Sequence, residues 1–246
     1  MADILSQEEI DALLEVDVDD DCDNCDCHKC CDDSDQRQII LYDFKRPNRV
    51  SKEELRAVKR IHDKVCNYLS INLFELLNTN TQIQLHSVDQ MTYGEYLMGL
   101  PNPTSFNVFT LKPFEGKFTL EINPSIAYSI IDILLGGSGS YSKDTGTFTQ
   151  IEISILNKVI IMILSSIKVG WDNSVKDLEV APFLNDSVNY FNKLGLISQN
   201  EIVITCVIEV IIGKNSGLVN ISYPVSNIYS ILDKLYNKNL KGVGNA

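Results

Sequence analysis

Two stretches of this chain repeat one pattern and decide the fold: EGKFTLEINPSIAYSIID at residues 115–132 and GKNSGLVNISYPVSNIYSILD at residues 213–233. Each leads from a glycine turn through an apolar strand to a proline and then to a Tyr-Ser-Ile triplet. Pro124 and Pro224 are 100 residues apart, and the two triplets are 101 residues apart. Because proline is favoured at the first position of a helix, each stretch predicts a strand that leads into a helix.

A long amphipathic helix precedes each stretch. The first is predicted from Ser51 to Leu77, where Ser51 and Glu54 form a capping box. One face of this helix carries the following apolar residues at helical spacing: Leu55, Val58, Ile61, Val65, Leu69 and Leu73. The second helix is predicted from about Gln150 to Ile167. This duplicated order predicts one domain with an internal pseudo-two-fold repeat, whose helices cover a largely antiparallel sheet.

Shorter patterns predict the remaining elements of this domain. Alternating or β-branched runs predict strands at Gln82–Val88, Phe106–Leu111, Lys117–Ile122, Ile202–Ile212 and Leu218–Ser222. The run Val203–Ile212 is nearly all apolar, so we expect this strand to be covered on both faces. The helix that begins at Pro124 should end at Gly136 and Gly137, and the last helix should run from Pro224 to about Lys238.

The composition excludes several classes of protein. With 246 residues and 44% hydrophobic content, the chain can form one large domain or two small ones. No run of 18 or more apolar residues occurs, so we expect no transmembrane helix. The start Met1-Ala2-Asp3 has no basic region, so we expect no signal peptide. Seven cysteines without an export signal favour reduced thiols in a cytosol.

The net charge of -12 resides in the N-terminal tail. Residues 1–36 contain 14 Asp and Glu but only one basic residue, Lys29, while the rest of the chain is nearly neutral. Such a run repels itself and stays extended. Nine Lys and Arg lie between Arg37 and Lys64, where the tail could fold back loosely or an acidic partner could bind. We expect no nucleic-acid partner, because only two aromatic residues, Tyr42 and Phe44, lie among these basic residues.

The first residues form a short amphipathic segment that is ready to become helical. Ser6 and Glu9 form a capping box, Leu5 and Ile10 form a hydrophobic staple, and Ile10, Leu13 and Leu14 share one face. Isolated helices below roughly 12 to 15 residues are marginal in water, so this one needs a surface to pack on. That surface is either the chain's own domain or the groove of a partner protein.

The chain therefore divides into four zones. Residues 1–15 form the amphipathic helix, residues 16–39 an acidic linker, residues 40–238 the folded domain and residues 239–246 a tail. The linker carries a cluster of soft ligands: Cys22, Cys25, Cys27, His28, Cys30 and Cys31. These residues could bind Zn²⁺ or Cu(I), but no loop separates the two C-x2-C pairs as in a folded zinc module. We therefore assign no metal and no cofactor to the chain.

The candidates for catalysis are weak. None of the three histidines, His28, His62 and His86, belongs to a nucleophile or metal-pair motif. His62 is predicted to be a surface histidine on the polar side of the first long helix. Cys66 and Cys206 lie in apolar segments and are predicted to belong to the core. The sequence therefore predicts a protein without enzymatic activity.

Three glycines, Gly136, Gly137 and Gly139, surround Ser138 at the end of a predicted helix. One glycine is enough to end a helix, so three within four residues suggest a close approach of the backbone to another group. A plain glycine cap with a flexible loop is the alternative. A phosphate-binding loop is not predicted, because such loops precede a helix and are followed by Lys-Ser/Thr.

Three motifs resemble the FliM family of flagellar switch proteins. Residues 5–14, LSQEEIDALL, are similar to the family's N-terminal signature, and residues 42–47, YDFKRP, to the entry to its middle domain. Residues 135–139, LGGSG, are similar to its Gly-Gly-x-Gly loop. The resemblance covers residues 1–14 and about 40–236, and it implies a three-layer α/β/α sandwich related to CheC-type phosphatases and FliY.

The resemblance also implies the partners and their sites. Phosphorylated CheY, a response regulator, would bind Leu5, Ser6, Gln7, Glu8, Glu9, Ile10, Asp11, Ala12, Leu13 and Leu14. The rotor protein FliG would contact Gly136, Gly137, Ser138 and Gly139. Copies of the domain would lie side by side in a cytoplasmic ring beneath the inner membrane. Family members usually continue into a domain that pairs with FliN, and the present sequence stops at Ala246, so a truncated fragment without FliN pairing is one alternative.

The other alternative is a phosphatase of phosphorylated CheY. CheC-type enzymes use a Glu-x-x-Asn pair on a long helix with a proline downstream, and Glu75, Asn78 and Pro101 match that spacing formally. The match falls at the end of the helix, whereas the enzymes place the pair near its start. The positions judged equivalent to the enzymes' pairs are Arg60 and Asp63 in the first long helix, and Lys158 and Ile161 in the second. An isoleucine cannot position water as an asparagine amide does, which favours the scaffold over the enzyme.

Overall fold

The computed structural model describes residues 50–139, 146–174, 178–191, 195, 197–229 and 231–232. Its helices are α1 (Lys52–Leu77), α2 (Tyr93–Met98), α3 (Pro124–Leu134) and α4 (Gln150–Asp172). Its strands are β1 (Thr81–Thr92), β2 (Ser105–Lys112), β3 (Phe118–Ile122), β4 (Ala181–Val188), β5 (Ile202–Ile212) and β6 (Asn215–Pro224). Residues 225–229 and 231–232 are also helical, directly after Pro224 as predicted. The predicted N-terminal helix, the linker with its cysteine cluster and the C-terminal tail lie outside the described residues.

The six strands form one antiparallel sheet in the order β1-β5-β6-β3-β2-β4. Each strand of the first half has a counterpart in the second half: β1 corresponds to β4, β2 to β5 and β3 to β6. When every strand is replaced by its counterpart, the sheet has the same order read in reverse, as a two-fold axis requires. The two-fold axis therefore passes between β3 and β6. At this point Leu120 pairs with Ile221, and these residues are separated by the same 101 positions as the two triplets. The predicted internal repeat is confirmed.

The hairpin turn of each half packs on a helix of the other half. A Cβ at Gly116, before β3, would lie 2.3 Å from the Asn227 side chain. A Cβ at Gly217, in β6, would lie 2.6 Å from Ile126 in α3. The two glycines are 101 positions apart, and so are Asn227 and Ile126. The repeat thus extends from the order of elements to individual contacts.

Helices cover both faces of the sheet. On one face, α1, α3 and α4 share a single core cluster with alternate residues of β5, among them Ile204, Cys206 and Ile208. On the other face, α2 contributes Tyr93 and Tyr96 to a smaller cluster, whose remaining buried members are Phe106, Val108, Phe191 and Val203. The predicted mixed α/β architecture is confirmed. The expected cover on both faces of β5 is complete only near its start, because Val207, Glu209 and Ile211 are partly exposed.

Helix α1 begins as its sequence predicts. The Glu54 N–H donates to Ser51 Oγ over 3.2 Å, and the Ser51 N–H donates to the Glu54 carboxylate over 2.7 Å. The helix ends at Leu77 because Asn78 takes a left-handed conformation at φ 47°, and its N–H donates to the Phe74 carbonyl. Five of the six predicted apolar-face residues are buried, and Leu55 is half-buried.

Helix α4 is long and apolar enough to cross a membrane by length and composition alone. A core helix of a globular domain passes the same test. Here Leu156, Val159, Ile163 and Ile167 are buried in the main core cluster, where α1 also contributes. These contacts are those of a core helix.

His62 is fully buried, so the prediction of a surface histidine is wrong. The buried arc of α1 is wider than one apolar stripe, because the helix packs against both the sheet and α4. Val58, His62 and Cys66 follow one another at a spacing of four residues and are all buried. The predicted core positions of Cys66 and Cys206 are confirmed.

The hydrogen bonds of His62 determine its tautomer. Nδ1 lies 3.0 Å from the Val58 carbonyl oxygen, which can only accept, so Nδ1 carries the proton. Nε2 then accepts from the Tyr223 hydroxyl over 3.0 Å, and the two rings meet edge to face at 5.4 Å. Burial lowers the pKa of His62 from 6.5 to about 4, against a smaller raising effect of the Val58 carbonyl. The folded domain therefore holds a neutral imidazole that bridges α1 and β6.

Acid should destabilise the domain through His62. Because its folded-state pKa is lowered, the unfolded chain binds the proton first as the pH falls below 6.5. The free energy of unfolding should fall between pH 6.5 and about 4, by about 3 kcal/mol at most. We expect His62→Gln to remove this component from denaturant unfolding curves recorded at several pH values. His86→Gln, on the exposed side of β1, is the control and should behave like the wild type. Identical pH slopes for wild type and His62→Gln would contradict the assignment.

Candidate functional site

The candidate site is the glycine loop, residues Gly136–Gly139, which follows α3. The helix ends in a Schellman motif, in which the Gly136 N–H donates to the Ile133 carbonyl over 2.9 Å. The Gly137 N–H donates to the Asp132 carbonyl over 2.8 Å. This motif requires a left-handed residue, and Gly136 supplies it at φ +92°. The predicted end of the helix at Gly136 and Gly137 is therefore confirmed.

The Asp132 carboxylate holds the loop from inside. Its Oδ2 accepts from the Gly139 N–H over 2.8 Å. A Cβ at Gly137 would lie only 2.3 Å from both carboxylate oxygens of Asp132. A side chain at Gly137 would therefore push the Asp132 carboxylate away from Gly139 and break the charge-assisted hydrogen bond that fixes the backbone.

The far end of the loop is fixed by the second half of the domain. The Asn215 side-chain amide, at the start of β6, donates to the Gly139 carbonyl. Gly139 is buried at φ +82°, and a Cβ there would lie 3.0 Å from the Ile133 side chain. Both ends of the loop are therefore tied to described elements, one to α3 and one to the β5–β6 turn.

The outer side of the loop faces solvent. Gly136, Gly137 and Ser138 are exposed, and Leu135 beside them is 70% exposed. The exposed surface therefore consists of backbone amide groups, one hydroxyl-bearing side chain and one large apolar side chain. Its nearest carboxylate, Asp132, is engaged in holding the loop. Such a surface suits recognition by another protein, because it combines a fixed backbone with an apolar anchor.

Aromatic packing supports α3 beneath the loop. The rings of Tyr128 and Phe148 stack with centroids 4.5 Å apart, and the Tyr128 hydroxyl donates to the Gly146 carbonyl over 2.9 Å. Phe148 precedes α4, so the stack links the two helices. The loop is thus presented by a helix whose own position is fixed by the core.

The backbone conformation and the contacts within the chain explain why glycine occupies these three positions, and the sequence did not reveal them. The expected close approach exists at Gly137 and Gly139, where the partners are the chain's own Asp132 and Ile133, whereas Gly136 has no neighbour within 4 Å and serves as the left-handed cap of the helix. Sequence reasoning missed Asp132, Asn215 and Leu135 as parts of the site. Asp132 carried a signal, because it ends the run Tyr-Ser-Ile-Ile-Asp, which recurs in the second half as Tyr-Ser-Ile-Leu-Asp.

The residues of the phosphatase alternative lie away from this loop in the chain. Glu75 is exposed in the last turn of α1, and Asn78 is the left-handed cap of that helix. Exposed side chains also occupy the positions judged equivalent to the enzymes' pairs: Arg60, Asp63, Lys158 and Ile161. Among the described residues, no group of three His, Cys, Asp or Glu side chains is placed to bind a metal. The ten residues predicted to bind CheY, Leu5 to Leu14, lie outside the described residues.

Comparisons with known proteins identify the family of this chain. The family model of the flagellar motor switch protein FliM matches residues 51–240. The FliM of Treponema pallidum is 33% identical over 96% of this chain and 67% of its own length. The FliM of Borreliella burgdorferi is 35% identical over 98% of this chain and 70% of its own length.

Solved structures agree with these matches. FliM in the FliG–FliM complex from H. pylori is 46% identical, with a TM-score of 0.72 over 75% of this chain and 100% of that one. The FliM middle domain from H. pylori is 45% identical, with a TM-score of 0.69 over 75% of this chain and 99% of that one. FliY from Thermotoga maritima has a TM-score of 0.65 at 14% identity over 77% of this chain and 98% of that one, which shows a common fold. This chain therefore belongs to the FliM family of flagellar motor switch proteins.

Proposed function

We propose that this chain is a switch scaffold whose glycine loop contacts FliG, and that the contact helps to control the direction of flagellar rotation. The observation that carries the proposal is the fixed, exposed loop beside Leu135, which offers a constant backbone surface to a partner. The 46% identity to the FliM crystallised with FliG from H. pylori supports FliG as that partner.

Signal reception is assigned to the predicted N-terminal helix. Leu5 to Leu14 would bind phosphorylated CheY, with Ile10, Leu13 and Leu14 entering a groove of the regulator. Each of these side chains is worth about 1.5 to 3 kcal/mol if it is fully buried. Part of this energy is spent in ordering the segment, so the affinity stays modest and occupancy follows the phosphorylation of the regulator.

The remaining assignments follow from the family. Neighbouring copies of the domain would form the cytoplasmic ring at the flagellar basal body, peripheral to the inner membrane. The chain would act without catalysis, as a scaffold that transmits a binding event.

Gly137→Ala should weaken the contact with FliG. The added methyl would collide with the Asp132 carboxylate and displace the loop, so we expect affinity for purified FliG to fall about tenfold. Isothermal titration calorimetry measures the loss. Gly195→Ala is the control, because a Cβ there meets nothing within 4 Å. Wild-type affinity in a Gly137→Ala protein, with its thermal stability unchanged, would contradict the assignment of the loop.

A peptide of residues 1–16 should bind phosphorylated CheY more tightly than the unphosphorylated regulator. Ile10→Ala should weaken binding by about tenfold or more, since it removes most of one buried side chain. Asp3→Ala, outside the signature, is the control and should bind like the unchanged peptide. Fluorescence anisotropy of a labelled peptide gives the affinities, and equal binding to both forms of the regulator would refute signal reception by this segment.

The scaffold and the phosphatase make opposite predictions about phosphate release. Mixed with phosphorylated CheY, the chain should bind without shortening the lifetime of the phosphoryl group. Acceleration that is lost in Glu75→Ala would instead establish the enzyme, and release of inorganic phosphate over time measures the difference.

A further inference from the structure

A buried polar patch lies at the two-fold axis, on the face of the sheet that α2 covers. Leu120 and Ile221 belong to the main core, so their neighbours in β3 and β6 point to the opposite face. Glu121 pairs with Asn220, and the symmetry-related pair is Thr119 with Ser222. The Glu121, Thr119 and Ser222 side chains are fully buried. A carboxyl group thus lies at the centre of the domain, away from solvent.

The hydrogen bonds of Glu121 suit the protonated carboxyl. Its Oε1 lies 2.5 Å from Thr104 Oγ1, and its Oε2 accepts from the Asn220 amide over 2.7 Å. Thr104 Oγ1 also lies 3.1 Å from the Ile122 carbonyl, which can only accept. Thr104 has one proton for two acceptors if Glu121 is ionised. If Glu121 is protonated, it donates to Thr104, Thr104 donates to Ile122, and every partner is satisfied.

Within the part of the chain that the structure describes, no opposite charge compensates an ionised Glu121. The ionisable side chain that faces it from α2 is Tyr96, with Tyr93 behind it at a ring distance of 6.0 Å. Thr119, Asn220 and Thr104, from β3, β6 and the segment before β2, are neutral. Among the described residues, no Lys or Arg forms an ion pair with Glu121. Burial raises the pKa of Glu121 to about 7, against smaller lowering effects of Thr104 and Asn220.

The cover over this patch is a short segment, residues 93–104, in which Leu97 and Leu100 pack partly buried beside the cluster. Tyr93 and Tyr96 are buried, while Met98 is 87% exposed. The Tyr93 and Gly94 N–H groups donate to the carbonyls of Glu201 and Gln199. At its far end, the Thr104 N–H donates to the Asn189 carbonyl over 3.1 Å. Thr104 is therefore both an anchor of the cover and a direct partner of Glu121.

We propose that Glu121 is a proton-operated latch: its protonated form holds residues 93–104 on the sheet, and its ionised form releases them. An unpaired buried carboxylate raises the free energy of the closed state, because the charge is removed from water. Opening the cover gives the carboxylate access to water without breaking the strand pairs of β3. A six-residue helix with two buried side chains belongs to the low-stability end of a domain, where such local opening occurs. The latch makes the surface of this face sensitive to cytoplasmic pH.

The direction of the effect follows from linkage. The pKa of Glu121 is about 7 when the cover is closed and returns to the ordinary 4.5 when it is open. At a pH between these two pKa values, Glu121 is ionised in the open state and protonated in the closed state, so a rise in pH favours opening. From pH 6 to pH 8 the opening equilibrium should increase about tenfold and then level off.

Hydrogen–deuterium exchange of the full chain tests the latch. After correction for intrinsic rates, peptides from residues 93–104 should show about tenfold more opening at pH 8 than at pH 6. Glu121→Gln should abolish this difference, because the Gln amide donates to Thr104 and its carbonyl accepts from Asn220, as in the protonated acid. Glu209→Gln is the control on β5, where the carboxylate accepts from Gln84 at the surface, and it should keep the tenfold change.

Any of three results would overturn the proposal. The first is equal opening of wild-type residues 93–104 at both pH values, and the second is a change that persists in Glu121→Gln. The third is a carbon NMR titration of the wild-type Glu121 carboxyl with a midpoint near 4.5. The NMR titration needs no substitution, so it decides the matter even if Glu121→Gln fails to fold.

Discussion

The antiparallel pairing of β3 with β6 joins the two halves of the domain, and the other elements are arranged around it. Leu120 and Ile221 meet at the axis, with the main core on one side of the sheet and the buried carboxyl of Glu121 on the other. The same pairing brings α3 of the first half beside the β5–β6 turn of the second. As a result, Asn215 reaches the Gly139 carbonyl, and the candidate site is built from both halves.

Much of this fold follows from local sequence signals. The capping box of α1 and the prolines that begin the two repeated helices act within a few residues. The repeat is visible because its parts recur at a fixed distance of 101 residues. The strand β4 was not predicted, because Ala181–Val188 contains Pro182 and Asp186 and pairs only with β2 at the edge of the sheet. The prediction for β1 ended at Val88, because Asp89 and Gln90 break the apolar alternation, but pairing with β5 carries the strand on to Thr92.

The features that escaped prediction depend on contacts between distant residues. His62 is buried by Tyr223, which lies 161 positions away, so the helical pattern of α1 alone placed it on the wrong side. Asp132 and Asn215 act through the loop backbone, which no periodicity reveals. Helix α2 did have a signal, a capping box at Thr92 and Glu95, but its six residues are too few for a periodic pattern. The assignment of CheY to Leu5–Leu14 stays a prediction from sequence.

The central claim is that the loop held by Asp132 is the surface that meets FliG. Amide exchange of the chain, recorded with and without saturating FliG, tests this claim most directly, because it needs no substitution. The account predicts that peptides covering Leu135–Gly139 gain protection in the complex, while exchange of the outer face of α1 is unchanged. Protection confined to α1, with exchange at the loop unaltered, would contradict it.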